Sequence, residues 1–324
     1  MTHPNNHRTE IHMVQYHTVH YSPITQSITL PQNLTPKDNP GGELILSSAV
    51  ITGSALQALQ SMPAGLAQVV VTSPPYWSLR DYEIPGQIGL EDDPDDYVDS
   101  LVSVFAEVHR VLADDGTLWL NIGDSYTSGG RTWRAPDKKN AARAMSTRPP
   151  TPAGLKPKDL VGIPWRLAFA LQRAGWYLRS DIVWRKPNTT PESVKDRPTR
   201  SHEYLFLLTK SERYFYDHMA VREANDRQVR SVWDINTEGL RDVHFATFPT
   251  RLVEPCILLG SRPGDVVLDP FFGSGTVGVV AIETGRAFLG IELNPTYVDI
   301  ARRRLDLMGG RLDRRVEHIE SVAV

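Results

Sequence analysis

VVLDPFFGSGTVGVVAIETGRAFLGIE, residues 266–292, decides the fold. Val266 to Leu268 is a short apolar run of the kind that forms a strand buried on both faces. Asp269-Pro270-Phe271-Phe272-Gly273-Ser274-Gly275-Thr276 follows as a glycine-rich turn, and the apolar stretch after it predicts a helix to about Thr284. A second strand over Ala287–Ile291 ends at Glu292, nineteen residues after Gly273. Glycines at a strand-to-helix turn let the backbone approach a ligand closely, and the helix start offers unpaired N–H groups. An acid at the end of the next strand is placed to accept hydrogen bonds from ribose hydroxyls.

Taken alone, Gly273 to Gly278 fits G-x-G-x-x-G, a weak pattern shared by nicotinamide enzymes and methyltransferases. A Walker loop is excluded, because no Lys follows the glycines. Position narrows the choice. A dinucleotide fold needs a second mononucleotide half of about 100 residues after the first, and only forty-eight residues of the 324 follow Thr276. The turn therefore completes a sheet whose other strands came earlier, a permuted order that points away from an oxidoreductase.

Working outward, strands are predicted over 43–52, 68–72, 117–122, 179–185 and 203–209, and helices over about 54–61, 94–112, 164–174, 249–259 and 296–308. Alternation of this kind predicts an α/β fold, a mostly parallel sheet with helices on both faces. The His-, Thr-, Asn- and Pro-rich residues 1–42 read as a poorly ordered arm. Residues 125–159, with many Pro and Gly, read as a long basic loop, and 217–243 as a further irregular segment.

Net charge is −3, yet it is uneven. An acidic run occupies 81–99, and the basic loop carries Arg131, Arg134, Lys138, Lys139, Arg143 and Arg148, a local footprint for a polyanion. No apolar run reaches the roughly 18–20 residues of a membrane span, and the polar start Met1–Glu10 has no signal-peptide core, so a cytoplasmic protein is expected. The lone cysteine, Cys256, excludes an intrachain disulfide and a multi-thiolate zinc site. It sits in the apolar helical run 252–259, where cysteine is a small buried hydrophobe rather than a nucleophile. The ten histidines show no metal-ligand spacing, and no metal is expected.

Thr72-Ser73-Pro74-Pro75-Tyr76-Trp77 follows the apolar run 68–72 directly. Two prolines fix the backbone and remove two N–H donors, leaving carbonyls as acceptors. A serine hydroxyl, proline carbonyls and an aromatic face together make a site for a planar ring bearing an amino group. Such an amino nitrogen is a poor nucleophile, because its lone pair is conjugated into the ring. Hydrogen bonds to both its protons turn it toward tetrahedral geometry and aim the lone pair at an electrophilic methyl.

These motifs, in this order, resemble the amino-methylating DNA methyltransferases of the permuted beta arrangement. The resemblance runs from about Ile51 to Leu305 and rests on TSPPYW (72–77), RVLADDGTLWLNIGD (110–124), IVWRKPN (182–188), SVWDI (231–235), HFATFP (244–249), DPFFGSGT (269–276) and FLGIELNP (288–295). It implies a Rossmann-like S-adenosylmethionine methyltransferase fold over 43–324, with 217–243 as a small target-recognition segment. It implies duplex DNA as substrate, entered by base flipping, and a role in a restriction-modification system beside a separately acting cognate restriction endonuclease, as monomer or homodimer. Ser73, Pro74, Pro75 and Tyr76 would hold the target base. Asp269, Pro270, Phe271, Gly273, Gly275 and Thr276 would line the methionine end of S-adenosylmethionine, Glu292 would hold its ribose, and Phe245 and Thr247 would close the pocket. Lys186, Asn188 and Arg197 are candidates for DNA contact. In this family a Ser-Pro-Pro-Tyr turn usually accompanies cytosine N4 methylation, and Asp in place of Ser usually accompanies adenine N6 methylation. N4-methylcytosine is therefore the expected product, with N6-methyladenine the alternative. One departure is Ser54, where the family commonly carries an acid after the glycine. The other readings are a DNA-binding module that has lost catalysis and a nicotinamide oxidoreductase. The complete turns and the permuted order disfavour them.

Overall fold

The computed structural model describes residues 16–18, 29–31, 48–127, 150–189, 191–223, 226–238, 248–312 and 316–320, with backbone alone for 16–18, 29–31, 309–312 and 316–320. In chain order these form β1 (Tyr16–Thr18), β2 (Thr29–Pro31), β3 (Ser48–Thr52), α1 (Ala55–Gln60), β4 (Ala67–Thr72), α2 (Pro94–Val111), β5 (Leu112–Ile122) and α3 (Ile163–Arg173). There follow β6 (Tyr177–Arg185), β7 (His202–Thr209), β8 (Arg222–Glu223), β9 (Arg227–Gln228), β10 (Val232–Asp234), α4 (Thr250–Gly260), β11 (Val266–Asp269), α5 (Thr276–Glu283), β12 (Ala287–Glu292), α6 (Pro295–Leu312) and β13 (Val316–Glu320).

Nine strands make one sheet in the order β10-β6-β7-β5-β4-β11-β12-β3-β13. Only β7 runs antiparallel to its neighbours in that sheet. The central strands β4 and β11 are apolar on both sides because helices cover both faces. Residues of α1, α2 and α3 pack with Val70, Leu268 and Leu289 on one face. Residues of α4, α5 and α6 pack with Val69, Val267 and Phe288 on the other. Helix α2 starts where Asp93 accepts from the Asp95 backbone N–H at 2.8 Å, with Pro94 as the first helical residue. Helix α5, apolar on all sides from Val277 to Ile282, is buried along most of its length against β12 and α4.

The predicted α/β class and element order hold over the described residues, with differences at the margins. The strand read over 43–52 is described only from Ser48. Segment 217–243 contributes the short β8–β9 ribbon and the edge strand β10, whose Trp233 packs 6.4 Å from Trp119. Three-residue strands carry no periodic signal, so a sequence reading passes over them. It passes over β13 as well. Most of the N-terminal arm, residues 128–149 of the basic loop and 239–243 of the recognition segment lie outside the described residues. Cys256 is fully buried within α4, and burial pushes its thiol well above the ordinary value, as befits a packing residue. Among the described residues, no helix is long and apolar enough to cross a membrane.

Candidate active site

The topology brings two distant turns together. Strands β4 and β11 pair in parallel, with Val69 opposite Val267 and Val70 opposite Leu268, so their C-terminal ends emerge side by side. The first leads into Ser73-Pro74-Pro75-Tyr76 and the second into Pro270-Phe271-Phe272-Gly273. Such a position, at the carboxyl ends of parallel strands, is where open α/β sheets hold ligands. A direct bond joins the turns: Thr72 Oγ1 donates to Asp269 Oδ1 at 2.7 Å in a fully buried contact. Both turns border one cleft of about 960 Å³, at the upper end of the range for small-molecule sites.

On the β11 side, Glu292 ends β12 and organises the turn through both carboxyl oxygens. Oε2 accepts from Gly273 N–H at 2.7 Å, and Oε1 accepts from Asn294 N–H at 2.8 Å. Phe272 turns inward, stacks on Phe288 at 5.4 Å and fills a bay over Gly290, where a Cβ would stand 2.3 Å from its ring. Phe271 borders the cleft with Pro270, Gly273 and Thr276. Arg304 of α6 supports the turn from beneath, donating to Ser274 O at 2.6 Å. Asp269 Oδ1 also accepts from Phe271 N–H at 3.0 Å, while its Oδ2 is buried without a hydrogen-bond partner. This donor set fits S-adenosylmethionine. Glu292 offers a carboxylate for ribose hydroxyls, and Asp269 holds a spare acidic oxygen for a cationic group.

Burial pushes the carboxyls of Asp269 and Glu292 up to about 7 each. Both stand above the value of about 4 for an unfolded carboxyl, so protonation stabilises the ligand-free fold. That contribution is fully present below about pH 4 and is lost as pH rises toward 7, at about 1.4 kcal/mol per pH unit for each group. Asp269→Asn keeps the shape and removes one ionisation. Its unfolding free energy should gain on that of the ligand-free wild type by about this slope between pH 5 and 7, then level off. Chemical denaturation at several pH values measures it, and a pH-independent difference would show that Asp269 titrates as an ordinary carboxyl.

On the β4 side, the Pro75 carbonyl is already engaged, accepting from Tyr97 OH of α2 at 2.8 Å. Tyr76 OH donates to Glu203 Oε2 at 2.7 Å and lies 3.2 Å from Asn121 Oδ1. Ser73 Oγ donates to Asn121 Oδ1 at 3.3 Å. Burial and the nearby Glu203 carboxylate push the Tyr76 phenol well above its ordinary value, so it remains a donor. Gly123, just beyond β5, is the floor under this ring: a Cβ there would stand 2.6 Å from Tyr76 Cε2. Gly123→Ala should therefore shift Tyr76 off Glu203, and loss of that charge-assisted bond predicts a fall of about 10- to 100-fold in methyl transfer. Cofactor affinity measured by calorimetry should stay near that of the wild type.

The residues singled out in the sequence fall into three groups. Ser73, Pro74, Pro75, Tyr76, Pro270, Phe271, Gly273, Thr276 and Glu292 border the cleft, with Asp269 and Gly275 in its support. Phe245 and Thr247 lie outside the described residues, although Phe248 lines the cleft. The three DNA candidates are engaged within the protein. Lys186 forms an ion pair with Glu203, its ammonium 4.1 Å from the Trp184 ring centroid. Asn188 bonds with Thr237, and Arg197 pairs with Glu192 at 2.6 Å over the Tyr126 ring. Ser54 stands at the start of α1 and lines the cleft without a carboxylate.

Sequence reasoning does not single out Asn121, Glu203, Tyr97 or Asp124. Asp124 Oδ1 accepts from the backbone N–H groups of Ser125, Gly162 and Ile163, each at 2.9 Å, and anchors the start of α3. Asn121 carries a signal, a polar residue set between Leu120 and Ile122 in the apolar end of β5. Glu203 carries none, because its place follows from the reversal of β7.

A mostly parallel sheet with a Ser-Pro-Pro-Tyr turn after β4, a glycine turn after the neighbouring β11 and an acid at the end of β12 defines the methyltransferase class. Residues 67–303 match the N6/N4 methylase family model, described as DNA methylase, and the chain belongs to that family. S-adenosylmethionine is its methyl donor. The chain is 64% identical over 262 residues to the type II methyltransferase M.Cfr9I of Citrobacter freundii, spanning 80% of this chain and 87% of that one. Its fold is similar to that of PvuII DNA methyltransferase (cytosine-N4-specific), with a TM-score of 0.61 and 22% identity over 84% of this chain and 95% of the other. It is similar also to TTHA0409 from Thermus thermophilus in complex with S-adenosyl-L-methionine, with a TM-score of 0.59 and 24% identity over 86% and 100% of the two chains.

Proposed function

We propose that this DNA methylase is a type II enzyme that methylates the exocyclic N4 of cytosine in duplex DNA. The carrying observation is the neutral Ser73 at the head of the catalytic turn, beside the cofactor turn in one cleft. The relatives named type II methyltransferases support the modification half of a restriction-modification system. A duplex hides the amino nitrogen, so the target nucleotide leaves the stack and enters the cleft.

In this reading Tyr76 stacks on the everted base, while Ser73 Oγ and the Pro74 carbonyl accept its two amino hydrogens. Tyr97 occupies the Pro75 carbonyl, which leaves Pro74 as the proline acceptor. Bound S-adenosylmethionine supplies a sulfonium methyl as electrophile. Glu292 holds its ribose, and Asp269, Pro270, Phe271, Gly273, Gly275 and Thr276 its methionine end. No nucleophilic side chain is needed, and positioning with directed hydrogen bonds supplies the rate enhancement. The proton lost from the amino group passes to Ser73 or water. Segment 217–243 and the basic loop 125–159 read the target sequence. Arg197 and Asn188, at the rim, would have to exchange their internal partners for phosphates on binding.

Plasmid DNA modified by the purified enzyme, digested to nucleosides and analysed by mass spectrometry, tests the assignment. N4-methyldeoxycytidine is expected; N6-methyldeoxyadenosine as the product would overturn it.

A further inference from the structure

We propose that Glu203, held by Lys186, fixes the donor–acceptor direction of the catalytic turn and is a positioning residue for methyl transfer; this rests on Ser73 accepting from the target amino group. Glu203 lies at the start of β7, the one reversed strand of the sheet. The register Ile122–Tyr204 therefore delivers it to the same edge as the C-terminal ends of β4 and β5. Its carboxylate is largely buried, with Oε1 on the Lys186 ammonium and Oε2 accepting from Tyr76 OH at 2.7 Å and Asn121 Nδ2 at 3.3 Å.

An ionised carboxylate can only accept. It therefore takes the Tyr76 proton and one amide hydrogen of Asn121, whose other amide hydrogen goes to the Tyr204 carbonyl at 3.2 Å. The reverse orientation of the Asn121 amide would set its carbonyl against the Glu203 carboxylate and the Tyr204 carbonyl, two repulsions at once. The amide oxygen is thus forced toward Ser73, and it accepts the serine proton at 3.3 Å. Ser73 then has only lone pairs to offer the cleft, which is the state that receives an amino hydrogen. The bonds from Ser73 to Asn121 and from Asn121 to Glu203 both run toward the carboxylate, and the Lys186 ion pair, donating from the other side, keeps Glu203 an acceptor and so sets that direction.

Glu203→Gln keeps the shape and lets the Asn121 amide turn round. A fall of about 10²-fold in the single-turnover rate is expected, on the scale of losing one preorganised partner. Dissociation constants for S-adenosylmethionine and DNA should remain within about threefold, and the melting transition should stay cooperative. A loss confined to the single-turnover rate, with ligand affinities and cooperative unfolding retained, is what a purely structural role for Glu203 does not predict. A rate within about threefold of wild type, or a loss seen only in ligand affinity, would overturn the proposal. Ser73→Ala run alongside separates the two levels. Near-normal activity there removes the proposed role of Ser73 itself, whereas a dead Ser73→Ala with a normal Glu203→Gln removes only the role of Glu203.

Discussion

Tyr76→Ala is expected to lower single-turnover methylation by about 10² to 10³-fold while leaving the dissociation constant for S-adenosylmethionine almost unchanged. Two losses add to that figure. The base loses an aromatic face, worth about 1–3 kcal/mol in nucleic-acid sites. Glu203 also loses its 2.7 Å phenol donor, so a largely buried carboxylate is left with one polar partner fewer. The cofactor turn should be spared, because its contacts run through Glu292, Phe288 and Arg304 rather than Tyr76. Ser73→Ala should cost a similar factor with less effect on base binding, since it removes an acceptor and no stacking surface. Rapid-quench kinetics with saturating cofactor and DNA measure both. A rate within about fivefold of wild type in either variant would mean that the turn does not hold the target amino group.

Glu292→Ala should have the opposite signature, a weakening of S-adenosylmethionine binding by about 10²-fold or more. Hydrogen bonds from ribose hydroxyls to a carboxylate are worth about 1.5–3 kcal/mol each. The carboxylate also holds Gly273 N–H and Asn294 N–H, so its removal loosens the turn as well as the ligand contact. Since burial pushes the Glu292 carboxyl up to about 7, the wild-type site is half protonated at neutral pH before ligand arrives. Ribose hydroxyls donate to the ionised form, so wild-type affinity should rise between pH 6 and 8, and Glu292→Ala should lose the Glu292 share of that rise while the share from Asp269, also raised to about 7, persists. Calorimetric titration with S-adenosylhomocysteine, which lacks the sulfonium charge, reads both effects. Equal affinities in wild type and variant would place the ribose elsewhere.

Much of this is legible in residues 266–292 and 72–77. An apolar run, a glycine turn, an apolar helix and a terminal acid can be arranged in few ways when the strand is buried on both faces. Pro74 and Pro75 likewise announce a rigid acceptor-bearing turn without any knowledge of its surroundings. The short strands β8, β9 and β10 are not legible, because two or three residues show no period and are held by neighbours such as Trp119. Lys186 illustrates the other limit. Its position beside Arg185 and Pro187 suggests a phosphate contact, yet its ammonium faces Glu203 across the hairpin formed by β6 and β7.

By itself the sequence determined the fold class, the permuted order of its two turns and the chemical character of each, because these depend on local periodicity and on what prolines, glycines and a serine can do wherever they stand. Only the tertiary structure decided which residues stand behind them. Glu203 meets Tyr76, and brings Lys186 to the same cluster beside Asn121, because β7 is reversed against β5 and β6, and a contact between residues 127 positions apart leaves no local mark on the chain.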